Sequence, residues 1–275
     1  MFCYLDRIFW KYLLVFITVL LSVFVSDAQP MPGLRRLIVG EKLTYILRWG
    51  MVPVGYATTH VKCVGEYHGH NVYHVVVSAW SNAVFSAFYR VDDRMETFVD
   101  VERMIPYKFV KIQNEGRYHS NETMNYDQTQ HRAYYRSFLN QSTKQMDIPD
   151  DVQDALSSIY YFRTIPLEEN SRIMMDVNAD EKNWKLEIIV RSFVPGLEIH
   201  RMGVFSAFEV EPLAKFKGMY ERRGRIIVWI SADKRRIPLL VKTKVPFGRV
   251  TAALIKIEID RDVDCMIENQ IEYGD

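Results

Sequence analysis

The chain has 275 residues, 48% of them hydrophobic and 25% charged, with a formal net charge of +1. That composition supplies a substantial core and leaves no broad basic footprint, so nucleic-acid binding is excluded as the main activity. The length fits one large β domain or two small ones.

In chain order, Arg7 and Lys11 precede the apolar run Tyr12 to Val25, and the small residues Ser26-Asp27-Ala28 follow. This predicts a signal peptide over 1–28, cut between Ala28 and Gln29. The alternative is an uncleaved anchor from Ile8 to Val25, which Lys11 interrupts and which falls short of the ~20 apolar residues a span requires. Cys3 precedes the apolar run, which argues against a lipid on cysteine. After the cut come a leader over 29–39, one β-rich domain over 40–260 and a tail over 261–275, with no second apolar stretch of spanning length.

Two of the three cysteines lie in the mature chain. Cys63 alternates with Gly55, Ala57 and Val61 on the less polar face of an extended run, and Cys265 alternates with Val263 and Ile267. Both thiols then point into apolar surroundings, either bridged to each other or as two inert buried groups.

Lys42 to Trp49 alternates Leu43, Tyr45, Leu47 and Trp49 against polar residues, with Ile46 out of phase, which describes a half-buried strand. Extended segments are predicted at 54–64, 71–80, 95–101, 107–114, 118–127, 131–139, 172–178, 184–193, 203–212, 224–231 and 237–259, the last divided near Pro246-Phe247-Gly248. Gly50, Gly116 and Gly218 in short connections favour hairpins over crossovers. One segment changes period. Val152, Ala155, Leu156, Ile159, Tyr160 and Arg163 recur at helical spacing, Asp150 and Gln153 resemble a capping box, and Pro166 stops the pattern. The expectation is an amphipathic helix over Asp151 to Thr164, with a weaker single turn at Asn82 to Tyr89. The fold class is therefore mainly β: a large curled antiparallel sheet with the helix packed on its concave face.

Glu41-Lys42-Leu43-Thr44-Tyr45, Trp49-Gly50, Val54-Gly55, Phe88-Tyr89-Arg90-Val91-Asp92-Asp93, Gln153 to Ser158 and Trp229-Ile230-Ser231-Ala232-Asp233 occur in that order, followed by Pro238 and Phe247-Gly248. The series resembles the exported bacterial proteins grouped as domain of unknown function 3108. The resemblance spans Gly40 to Ile257. It implies a periplasmic or otherwise exported domain like the open half-barrels of lipoprotein carriers, and it implies no reaction.

The candidate chemistry is sparse. His60, His68, His70 and His74 lie close in sequence, but a hairpin register pairing His60 with His74 separates them from the turn pair, so no metal site is expected. Ser231-Ala232-Asp233-Lys234 and Lys242-Thr243-Lys244 echo penicillin-binding motifs, yet only a tight turn separates them. Adjacent Asp92 and Asp93 point to opposite faces of a strand and cannot share a proton. Asp154 and Arg163 are read as tying the helix ends to neighbouring strands, with Trp229 and Asp233 also structural. No cofactor fingerprint occurs and no catalytic constellation forms.

Aromatic groups carry the functional expectation. Phe85, Phe88, Tyr89, Leu156, Ile159, Tyr160, Tyr161 and Phe162 are the candidates for an apolar cleft between sheet and helix, with Tyr161 and Phe162 near its rim; Tyr134, Tyr135 and Phe138 add bulk. The functional expectation is an exported, non-catalytic binding or carrier protein for an acyl chain, a lipid or a lipidated partner, with peripheral membrane contact. The alternative is a structural or assembly factor of the envelope that binds a protein partner through a sheet edge. Intact mass of exported material checks the first step: the chain is expected to begin at Gln29, and recovery of residues 1–28 in the membrane fraction identifies an anchor instead.

Overall fold

The computed structural model describes residues 37–216, 219–220, 225–245 and 248–260. The expected signal peptide, most of the leader, and the tail with Cys265 lie outside the described residues.

Two meanders build the sheet. The first contains β1 (Glu41–Trp49), β2 (Val52–Tyr67), β3 (His70–Ser81), β4 (Asp92–Asp100), β5 (Pro106–Glu115), β6 (Tyr118–Asp127), β7 (Arg132–Ser137) and β8 (Thr143–Asp147), with the single-turn helix α1 (Ala83–Ser86) between β3 and β4. The second contains β9 (Gln153–Asp154), β10 (Arg172–Ala179), β11 (Lys182–Ile199), β12 (Gly203–Phe216), β13 (Met219–Tyr220), β14 (Ile226–Ser231), β15 (Pro238–Val245) and β16 (Gly248–Ile259). Helix α2 (Ser157–Thr164) lies between β9 and β10. Antiparallel pairing of β1 with β16 fuses the meanders into one sheet that runs from β8 through β1 and β16 to β9. The pairing of β9 with β10 is parallel, and β13 pairs with β12 off the main path.

Alternation positions the core. Along β1, Glu41, Leu43, Tyr45 and Leu47 are buried while the intervening residues are half-buried, so Ile46 faces outward. The inward faces of the two meanders and α2 form contiguous apolar clusters, with Leu156 and Tyr160 packed on Val61, Val75 and Met95, and Phe162 on Leu186 and Val228. The sheet edges do not join by a backbone ladder. Side chains bridge them: Asn183 Nδ2 donates to the Asp147 carbonyl at 2.6 Å, Lys144 pairs with Glu181 at 3.0 Å, and Gln128 Nε2 donates to the Val152 carbonyl at 3.2 Å. The curl is thus barrel-like, and its two unpaired edges are held against one another. At Gly55, an added Cβ meets the Trp80 carbonyl oxygen at 2.2 Å, so the close approach of β2 to β3 requires glycine.

Three expectations change. The helix begins at Ser157 rather than near Asp151, because Gln153 and Asp154 pair with Val177 and Asn178 as a short strand. The Asp154 carboxylate accepts hydrogen bonds from the amides of Leu156 and Ser157 at 2.6 and 2.7 Å, so Asp154 and not Asp150 satisfies the first free amides. In the first hairpin His60 pairs with Val76, and His74 lies opposite Cys63, because the strands pair right up to Tyr67 and His70 around the two-residue turn His68-Gly69, which sets the register. The short strands β8, β9 and β13 carry too few residues to show a period.

Helix α2 has eight residues, too few to persist alone in water. Its C-terminal end is fixed by Arg163, whose side chain is 6% exposed and whose Nη2 lies 2.6 Å from Oε1 of Glu41, itself 2% exposed. The same guanidinium donates to the Arg235 carbonyl at 3.0 Å and lies 5.2 Å from the Tyr160 ring centroid. One side chain therefore joins α2, β1 and the β14–β15 turn. Arg163→Met leaves Glu41 as a buried unpaired charge and is expected to cost about 3–5 kcal/mol in urea unfolding. Glu41→Leu combined with Arg163→Met is expected to recover most of that loss, which separates the penalty of an orphaned charge from general damage to packing.

Candidate ligand cavity

Helix α2 does not fill the space inside the sheet. A cavity of about 150 Å³ remains between Leu156, Ser158, Ile159 and Phe162 on the helix and the inward faces of β1–β4, β11, β12 and β14–β16. Its wall is apolar almost throughout, with Val77, Ala79, Leu186, Val210, Ile230 and Ala252 among the lining residues. At one end it reaches Val54, Trp80, Ser81 and Val91, beside the β1–β2 turn and α1. Trp80, at this end, is 38% exposed.

Asp93 is the single charged residue in that lining. It is 4% exposed, accepts from the Asn114 amide at 2.9 Å and shares a side-chain hydrogen bond with Glu115. Two carboxyl groups can share a hydrogen bond only if one keeps its proton. Burial, followed by the adjacent Asp93 charge and hydrogen bond, pushes Glu115 up to about 9, against a smaller lowering by Lys111. Burial likewise raises Asp93. Glu115 Oε1 and Gln113 Nε2 are buried with no hydrogen-bond partner among the described residues. Lys111, further along the inward face of β5, is held by Glu122 at 2.9 Å and Asp180 at 3.5 Å. One end of an otherwise apolar space thus carries a neutral-plus-anionic acid pair.

The expected cleft residues divide into two groups. Leu156, Ile159 and Phe162 line the cavity, whereas Tyr160 is buried behind them. Phe162 is 5% exposed and is a core residue rather than a rim residue, and Tyr161 packs on the same clusters without lining the cavity. Phe85, Phe88 and Tyr89 lie outside it: Phe85 packs against the β1 core, Tyr89 donates to the Glu115 carbonyl at 3.1 Å, and Phe88 is 86% exposed. The loop between β3 and β4 turns outward over the rim, which moves these rings off the interior. The Asp93–Glu115 pair was missed because its partners are 22 positions apart and meet only once β4 and β5 pair, a ladder that the bridge of Val91 with Glu115 extends. The available signal was the run Lys111, Gln113, Glu115, polar at the last three inward positions of β5 after the apolar Phe109.

Asp154 is fully enclosed between the start of α2 and β4. Burial pushes it up to about 6, although the Thr97 hydroxyl and the Ser157 and Leu156 amides all favour its charged form. Trp229 is half-buried beneath the Lys242 ammonium, which is 4.9 Å from its ring. Asp233 accepts from the Ser231 hydroxyl at 2.7 Å and from the Arg235 amide at 3.1 Å, while Ser231 Oγ accepts from the Ile237 amide at 2.8 Å. That serine closes a hairpin turn. His74 pairs with Glu96 at 2.5 Å and stacks on Phe98, and no cluster of metal-ligating side chains occurs among the described residues. Cys63 is disulfide-bonded; the expectation for Cys265 falls outside the described residues.

A curled antiparallel sheet around one internal helix and an apolar cavity defines a β-barrel-like protein class. The sequence matches the family model "protein of unknown function (DUF3108)" over residues 44–255, and the chain belongs to that family. Among solved structures, the chain is similar to a β-barrel-like protein of domain of unknown function DUF1849 from Brucella abortus. The TM-score is 0.57 at 10% identity, covering 82% of this chain and 100% of that one. A Bacteroides fragilis protein with a YmcC-like fold aligns over 82% of this chain and 99% of its own, at 10% identity and a TM-score of 0.37. No curated protein matches the sequence.

The acid pair gives a pH signature. Because Glu115 is raised in the folded state, its contribution is present in full below the unfolded carboxyl range near ~4.3 and is lost progressively as pH rises through about 9. Thermal unfolding between pH 5 and 9 is expected to show a decline in the parent protein that Glu115→Gln flattens. An identical decline in the variant removes the pair from the explanation.

Proposed function

We propose that the protein is an exported, non-catalytic binding or carrier protein of the bacterial envelope that receives an apolar group, such as the end of an acyl chain, in the cavity beside α2. The observation that carries the proposal is the vacancy itself: about 150 Å³ bounded by Val77, Ala79, Ile159, Phe162 and Leu186. Well-packed interiors leave few voids larger than a water molecule. An apolar cavity of this size stays dry and binds a benzene-sized guest. Pockets that enclose whole drug-sized ligands run to ~300–1,000 Å³, so the space suits a short apolar segment rather than an entire lipid. Export rests on the layout of residues 1–28, and the periplasm is the compartment in which a disulfide at Cys63 persists.

The alternative of protein docking by strand addition has less support. Strand addition needs an unpaired edge. Here β8 and β10–β11 cover one another through Asn183, Lys144 and Asn178.

Ala79→Leu tests the cavity, since Ala79 is 4% exposed and faces it. In a filled core the larger side chain costs about 1–3 kcal/mol. With a vacancy, unfolding is expected to change by less than about 1 kcal/mol while uptake of an apolar fluorescent probe falls. Native mass spectrometry of the parent protein is expected to show a co-purifying apolar ligand or a stoichiometric probe complex. A parent protein that takes up no probe, together with a large stability loss in Ala79→Leu, overturns the proposal.

A further inference from the structure

The two ends of the barrel-like sheet differ. Strand directions bring the β1–β2 turn, α1, the β5–β6 turn and the Lys244–Arg249 end of the β15–β16 ladder to one rim. Backbone hydrogen bonds fasten these pieces together: Gly50 to Arg249 at 2.8 Å, Asn82 to Val54 at 2.9 Å and Gly116 to Arg90 at 2.9 Å. The rim is therefore an ordered surface. It nevertheless holds Met51 93%, Val52 63%, Val84 76% and Phe88 86% exposed, with Trp49 and Tyr118 beside them. In α1 no residue is buried, and Asn82 fixes the turn by accepting from the Phe85 amide at 2.8 Å and donating to the Pro53 carbonyl at 2.7 Å. Single exposed apolar residues are ordinary, whereas a group of them on one braced rim marks an interaction surface.

Charge supplies the second observation. Arg90, Arg117, Lys244 and Arg249 are exposed around the same apolar group, with Arg90 3.4 Å from Asp92. Further round the rim, Asp180 and Glu181 are engaged by Lys111 and Lys144. The opposite end is mixed in sign: Glu102, Asp150, Asp151, Glu168 and Glu169 are exposed in its turns together with Arg103, paired with Asp151 at 2.6 Å, and Arg201, Lys234 and Arg235. A net charge of +1 thus conceals a basic, apolar rim.

We propose that this rim docks on an anionic phospholipid surface and presents the mouth of the cavity to it. Basic side chains near such a surface are attracted by ~1 kcal/mol each, and tryptophan and tyrosine favour the interfacial zone between water and hydrocarbon. A twofold dimer through the same patch would bring arginines against arginines, which disfavours a second copy as occupant. The cavity wall at Val54, Ser81 and Val91 adjoins the apolar tips at Val52, Val84 and Phe88, so a chain leaving the bilayer enters without crossing open water. This deepens the carrier reading and depends on it for the role of the mouth, but the docking itself is measured without reference to cavity occupancy.

Co-sedimentation of the exported chain with vesicles of phosphatidylcholine alone, or of phosphatidylcholine with phosphatidylglycerol, tests the docking. Binding to the anionic vesicles is expected to fall with added salt. It is expected to weaken by about tenfold or more, equivalent to ~1.4 kcal/mol, in Met51→Ser with Phe88→Ser and in Arg117→Glu with Arg249→Glu. All four positions are exposed, and unchanged thermal unfolding verifies their fold. Ala79→Leu is expected to lose probe uptake and keep vesicle binding, so failure of the cavity and failure of the rim give different results. Equal sedimentation with both vesicle types, undiminished binding by the rim variants, or a parent dimer that Met51→Ser with Phe88→Ser dissolves would each overturn the proposal.

Discussion

The ion pair between Arg163 and Glu41 is the contact on which the arrangement turns. A two-turn helix inside a sheet has no propensity sufficient to form by itself, and its surroundings bury all but the half-buried Ile159 and Tyr161. Arg163 gives it an address: one carboxylate at the start of β1 and one carbonyl in the β14–β15 turn, which lie on strands separated by β16. At the other end Asp154 gathers the first amides of the helix and the Thr97 hydroxyl of β4. The helix is thereby pinned between both meanders. Each charge is affordable in the interior only because its hydrogen bonds are supplied there.

Pinning the helix by its polar ends determines where space is left. Tyr160 and Leu156 fill one side against β2–β4, Phe162 fills the other against β11 and β14, and the remaining volume lies toward the α1 rim. The inward face of β5 then brings Lys111, Gln113 and Glu115 into the same interior, where burial converts ordinary carboxylates into an acid pair that retains a proton. An apolar cavity with one polar corner thus lies beneath an exposed apolar and basic rim.

Much of the fold was legible because strand alternation is local. Leu43, Tyr45 and Leu47 point inward as their spacing requires, the outlier Ile46 points outward, and the division of 237–259 falls where Pro246-Phe247-Gly248 places it. The helix was legible in existence and not in extent. Val152 and Ala155 are buried because the whole segment passes through the interior, so their apolar character says nothing about a helical face. The histidine register failed for a different reason: the strands pair right up to Tyr67 and His70, so the two-residue turn His68-Gly69 sets which residues face each other, and nothing in the alternation fixes where the turn falls.

Sequence alone determined the mainly β class, the hairpin order, the presence of one internal helix and the family resemblance, since these follow from short-range periodicity and from residues a few positions apart. Tertiary structure alone decided which aromatic rings reach the interior, the pairing of Asp93 with Glu115, the volume left beside α2 and the gathering of Met51, Val84, Phe88 and Arg117 on one rim. Those features join residues separated by tens of positions. Their energies depend on burial and on which strand lies beside which, and neither quantity exists until the sheet has curled and closed over its helix.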